Sequence, residues 1–156
     1  MIISKQIMDD FLEPYLNSSR YLKSAKDSEA SFIGNFSIVH STYLNAGISS
    51  GHLNMVDLLI CFNQLTYVGI ANKLQLNKLT ELQGITYDLF KKEKLNGLIY
   101  ALDEIKFRKP IDSTNFNGEI SIEQIKKRLD VYFIKTEFNF ENSVTGKIGI
   151  AMKIKN

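Results

Sequence analysis

Apolar residues follow a helical period in some stretches of this chain and a strict alternation in others. Residues 4–16 place Ile7, Met8, Phe11, Leu12 and Tyr15 on one face of a helix that Pro14 weakens toward its end. Residues 30–43 (ASFIGNFSIVHSTY) interleave Phe32, Phe36 and Ile38 with small or polar residues and read as a strand. NAGISS at 45–50 reads as a loop. From Asn54 to about Leu74 the helical period returns, with Asn54 at the N-cap position. Residues 80–92 form a second helix candidate, weakened by Gly84.

Beyond residue 96 strand formers dominate. Residues 97–111 stop at Pro110, and 116–127 carry Ile120, Ile122 and Ile125, with a local helical option at EQIKK. Residues 129–139 alternate at Val131 and Phe133, then at Thr136 and Phe138 after a one-residue slip. Residues 145–154 alternate at Ile148, Ile150 and Met152. Late strands with short connections pair antiparallel. The long helix is apolar nearly all round, as a helix wrapped by a curved sheet must be. The predicted architecture is therefore α+β: a hotdog, with an antiparallel sheet of about five strands around a long central helix. The expected organisation is one domain over 1–156, with an N-terminal helical segment at about 4–22.

Composition alters little in this picture. The 156 residues are 44% hydrophobic and 23% charged, ordinary for a globular domain. A net charge of +2 argues for no nucleic-acid or membrane-surface partner. Cys61 is the single cysteine, and no Cys/His cluster suggests a metal; no cofactor is called for. Acidic residues near the N-terminus argue against a signal peptide, and no apolar run is long enough to span a bilayer. The expected location is the cytoplasm.

The segment GHLNMVDLLICFNQLTY (51–67) holds polar residues where a core helix should have none. A buried amide without partners costs roughly 1–3 kcal/mol. Asn63 and Gln64 are therefore either satisfied by the fold or turned toward a ligand. This segment resembles the GHFN…CYNQ region of the type III fatty acyl-CoA thioesterase family, a hotdog group. EPYLNSSRYLKSA and STYLNAGISSGHLN fit the same family upstream, and IKFRKP (105–110) resembles a strand shared with hotdog 3-hydroxyacyl-carrier-protein dehydratases.

The resemblance implies a substrate that is an acyl thioester of CoA or of acyl carrier protein, and a homodimer or higher homo-oligomer with sites between subunits. Some members add glycine to an α,β-unsaturated carrier-protein thioester. Residue by residue, Tyr43 matches the family's active-site tyrosine, and Asn54 and Asn63 match its two asparagines. An upstream tyrosine is also implied, either Tyr15 or Tyr21. Hotdog dehydratases pair a loop histidine with a carboxylate on the central helix. Here His52 is present, but the helix after Asp57 carries only Asn63, Gln64, Thr66 and Tyr67 at its polar positions. That disfavours a dehydratase, which needs one proton removed and another delivered.

Donors aimed at a thioester oxygen stabilise the oxyanion of its reactions. Tyr43, Asn54 and Asn63 are the candidate donors; His52 either orients the thioester and acts as a base or supports the turn. Asp57 suits the helix N-terminus. Tyr15, Tyr21, Asp57, Gln64, Tyr67 and Phe62 are candidate substrate contacts, Phe62 as part of an acyl tunnel with Leu58, Leu65, Phe32 and Phe36. Cys61, among apolar neighbours, reads as inert core. Three functions remain open: hydrolysis of a medium- or long-chain acyl thioester, the leading expectation; amine addition to an enoyl thioester; and non-catalytic acyl binding.

Overall fold

The long helix sets the architecture. The computed structural model describes residues 1–41, 43–45 and 47–153. Helix α2 runs Met55–Gln75, and Asn54 caps it by accepting from the Val56 and Asp57 amides at 3.0 and 3.1 Å. Most of its residues are buried, including Leu58, Phe62, Leu65, Val68 and Ala71. Gly69 lets the sheet approach: a Cβ there would fall 2.3 Å from the Phe32 ring.

Around α2 curls one antiparallel sheet of six strands: β1 (Leu22–Asp27), β2 (Ser31–Phe36), β3 (Gly97–Phe107), β4 (Phe116–Arg128), β5 (Val131–Phe140) and β6 (Val144–Lys153), in the order β1-β2-β4-β5-β6-β3. This is the expected hotdog with one strand more. The added strand, β1, has only Leu22 and Ala25 as apolar inward residues, too few to alternate visibly. The strand expected over 30–43 ends at Phe36, so Tyr43 lies in a turn beyond it.

Two other expectations need correction. β5 alternates without a slip: Tyr132, Ile134, Thr136, Phe138 and Phe140 all point inward, and Phe133 faces out against Tyr100. The irregularity lies in β4, between Ile122 and Gln124, where EQIKK is strand and not helix. Ile154, the expected end of the last strand, is outside the described residues.

Two short helices close the open side. α1 (Lys5–Leu12) begins at Ser4, whose hydroxyl accepts from the Ile7 amide at 3.3 Å. Gly84, at φ +85°, splits the second helix candidate into a 3-10 turn and α3 (Tyr87–Glu93). Phe11 stacks on Phe90 at 5.2 Å, and Asp10 receives Lys91 and the Tyr87 hydroxyl, each at 2.8 Å. At the far end of α2, buried Lys73 pairs with Asp27 at 2.8 Å and donates to the Ser28 and Glu29 carbonyls; Asn72 donates to the same carboxylate. No helix among the described residues is long and apolar enough to cross a membrane.

Candidate functional site

The residues singled out from the sequence fall into three places. The first is the N-terminal end of α2. Tyr43 donates its hydroxyl to Asp57 Oδ2 at 3.0 Å. The Asn54 amide nitrogen donates to Tyr43 Oη, to the same Asp57 oxygen at 2.9 Å and to Ser50 Oγ at 3.3 Å. One asparagine thus caps the helix with its oxygen and ties tyrosine to carboxylate with its nitrogen. The spacing N-x-x-D places Asp57 in the first turn, above the cap. Asp57 is 0% exposed, and its Oδ1 has no hydrogen-bond partner among the described residues, while Tyr43 is 45% exposed. A buried carboxylate is therefore linked to solvent through one phenol. Ser50 was not foreseen; a serine in a loop carries no sequence signal of its own.

His52 flanks this cluster. Its backbone bridges Asp112 and its carbonyl accepts from Ser50 Oγ at 2.7 Å, while its ring is exposed on a cleft of about 430 Å³. Asn54 and Met55 line one wall of that cleft, and Phe107, Arg108 and Lys109 the other.

The second place is a half-buried stripe along α2. Ile60, Asn63 and Tyr67 follow exposed Val56 at three- and four-residue steps, which stacks them on one face. The Asn63 side chain makes no hydrogen bond among the described residues and does not join the Tyr43–Asn54–Asp57 cluster. Tyr15 lies beside Tyr67. Burial, and then the Tyr67 hydroxyl, pushes the Tyr15 phenol above its usual value; burial does the same for Tyr67.

The third place is the core. Gln64 is fully buried; its oxygen accepts from the Leu22 amide at 3.0 Å and its nitrogen donates to the Ser19 carbonyl at 2.6 Å. Both ends of this amide hold the start of β1, away from solvent. Tyr21 is buried, and Phe62 meets Phe138 at 6.2 Å with its whole surface covered. Leu58, Leu65, Phe32 and Phe36 are equally covered, so the expected tunnel positions are packed together as core. Burial, reinforced by Asp57, pushes the Cys61 thiol well up, which removes it as a nucleophile.

The open cluster can hold a carbonyl against N–H and O–H donors and exchange a proton through Tyr43 with Asp57. Comparison with known proteins agrees with thioester chemistry in related chains. The profile of the FcoT-like thioesterase domain matches residues 10–152. A (2E)-enoyl-ACP glycyltransferase of Mycobacterium tuberculosis is 31% identical over 123 residues, 76% of this chain and 66% of that protein. One of Streptomyces coeruleorubidus is 30% identical over 126 residues, 78% of this chain and 74% of that protein. The chain thus spans a little under two thirds of the mycobacterial relative. A hypothetical thioesterase of Streptococcus pneumoniae, solved with coenzyme A, shares the fold at TM-score 0.54 and 9% identity, over 96% of this chain and 98% of that one. The chain belongs to the FcoT-like thioesterase domain family.

Proposed function

We propose that this protein is an enzyme that adds glycine to a (2E)-enoyl thioester of acyl carrier protein. The observation that carries this reading is the Tyr43–Asn54–Asp57 cluster, which couples a buried carboxylate to an open surface through one phenol. The glycyltransferase names of the relatives favour addition over hydrolysis, the leading expectation from the sequence.

The chemistry asks for a base, a donor and a proton return. Glycine's ammonium gives a proton to the Tyr43 oxygen as Tyr43 passes its own to Asp57. The freed amine bonds to the β-carbon while the C=C electron pair moves onto the thioester oxygen. Asn54 exchanges its long contact to Ser50 Oγ, 3.3 Å, for that oxygen. The enolate then takes the proton back at its α-carbon, leaving a β-glycyl acyl thioester with all atoms accounted for. Asn63 and Tyr67 line the half-exposed α2 stripe along which the acyl chain runs, beneath a second copy of the chain. That arrangement replaces the tunnel through the core.

The test is mass spectrometry of a (2E)-enoyl carrier protein incubated with glycine. A product heavier by one glycine is expected, and it should be lost in Tyr43→Phe and Asp57→Asn. An unchanged carrier protein sinks the reading. Hydrolysis is the second reading, favoured by the thioesterase description of the matching family. It predicts release of free thiol from acyl-CoA with no amine present.

A further inference from the structure

The cleft beside Asn54 has features that the reaction itself does not use. Two cations, Arg108 and Lys109, stand together at its rim. Neither has a carboxylate partner among the described residues, so both charges are available to an anion. Arg108 is steadied by donating to Thr145 Oγ1 at 2.9 Å, which leaves most of its fork free. No acid lines the cleft among the described residues. Nearby Asp112 is already engaged: the Thr114 amide at 2.8 Å and hydroxyl at 2.7 Å hold its carboxyl below the usual range.

The walls are also held in place. The Leu53 amide donates to the Ile111 carbonyl at 2.9 Å, and His52 bridges Asp112. The segments carrying Asn54 and Arg108 therefore face each other across a fixed gap of about 430 Å³. Leu53, Met55 and Phe107 give it apolar surface between the Asn54 amide and the two cations. The gap is lined by two cations, by apolar side chains and by the Asn54 amide, which carries Tyr43 beside it. Glycine is too small to engage the amide and the cations at once, and an acyl chain has no charge for the cations.

We propose that this cleft seats a phosphopantetheine arm, with its phosphate on Arg108 and Lys109 and its thioester end at Asn54 and Tyr43. The assignment rests on the thioester reading above and names the binding determinant that reading leaves open. Guanidinium suits phosphate because its donors form a planar fork, and Lys109 adds a second charge. The phosphate arrives either as the diester of a carrier protein or as part of CoA.

Direct binding tests the seat apart from turnover. The probes are 4′-phosphopantetheine and phosphate-free pantetheine, titrated into the full chain by calorimetry. Phosphopantetheine should bind about tenfold tighter, the order expected of a charge-assisted contact. In R108Q/K109Q the preference should vanish, and raised salt should erode it in the unaltered protein. Should the double variant fold poorly, K109Q alone should lower the preference, since Lys109 has no partner to lose among the described residues. Equal binding of both probes by the unaltered protein overturns the proposal, as does a preference untouched by R108Q/K109Q. CoA and holo-carrier protein form the last two arms; whichever gains most over phosphopantetheine identifies the source of the phosphate. Phosphate-dependent binding without turnover on any enoyl thioester would remove the reaction and keep the seat.

Discussion

Adjacent amides on α2 do different work because one residue turns a helix by about 100°. Gln64 points into the core and satisfies two backbone groups of the β1 approach. Gln64→Leu leaves both of them dry, so unfolding in urea should show a loss of about 2–4 kcal/mol. Asn63 points along the half-exposed stripe; Asn63→Ala should leave stability within about 0.5 kcal/mol and act on turnover alone. Asn54 combines both functions: Asn54→Ala should lower stability by about 1 kcal/mol as the cap is lost, and activity as well. Tyr43→Phe keeps the cap, so thermal melts should change little while product formation falls. The sequence made the amide puzzle visible, and the fold answers it for Gln64, whose oxygen and nitrogen both meet backbone. What the sequence hid was Tyr43's neighbour: a carboxylate at 57 reads as a dipole partner, and only the folded loop brings the phenol onto it.

The elements were most legible where they are longest. α2 and the strands of the second half follow plain periods, because a face buried over many residues leaves a repeated pattern. β1 was not legible: Leu22–Asp27 is a polar edge strand whose identity comes from pairing with β2. The apparent slip in β5 misled because Val131 and Phe133 are apolar but face outward, where Phe133 meets Tyr100 at 5.5 Å. Helix–sheet spacing makes a testable demand at Gly69. Alanine is the better helix former by up to about 1 kcal/mol, yet its Cβ strikes the Phe32 ring, so Gly69→Ala should destabilise by about 1–3 kcal/mol in chemical denaturation. The α1–α3 clasp has a pH signature. Lys91 first, and then the Tyr87 hydroxyl and Gln6, hold the Asp10 carboxyl below its ordinary value. A depressed folded pKa stabilises above the unfolded value, near 4, and the gain fades as pH falls through the folded one. Asp10→Asn should therefore destabilise at pH 7 by about 1 kcal/mol and by almost nothing at pH 2.5, measured by thermal melts at both.

At the scale of the molecule, one sheet edge is conspicuous. Among the described residues β3 pairs only with β6, and Leu98, Tyr100 and Leu102 along it are exposed. The proposed second copy would cover this edge and the α2 stripe together. Sedimentation should give a dimer or larger assembly, and Leu102→Lys should shift it toward monomer with loss of turnover; an active monomer would contradict a shared site. The opposite edge carries a different safeguard. Lys73 and Asp27 are paired in a dry setting, one on the helix and one at the end of the β1–β2 hairpin. Such a pair adds little net stability, because desolvation offsets its attraction. Its effect is to reject errors. If the hairpin docked one residue out of step, lysine and aspartate would each be stranded without water or partner, and that state would be several kcal/mol worse. The pair therefore acts as a proofreading contact: it admits one alignment of hairpin on helix, the one in which Gln64 also finds the backbone of Leu22.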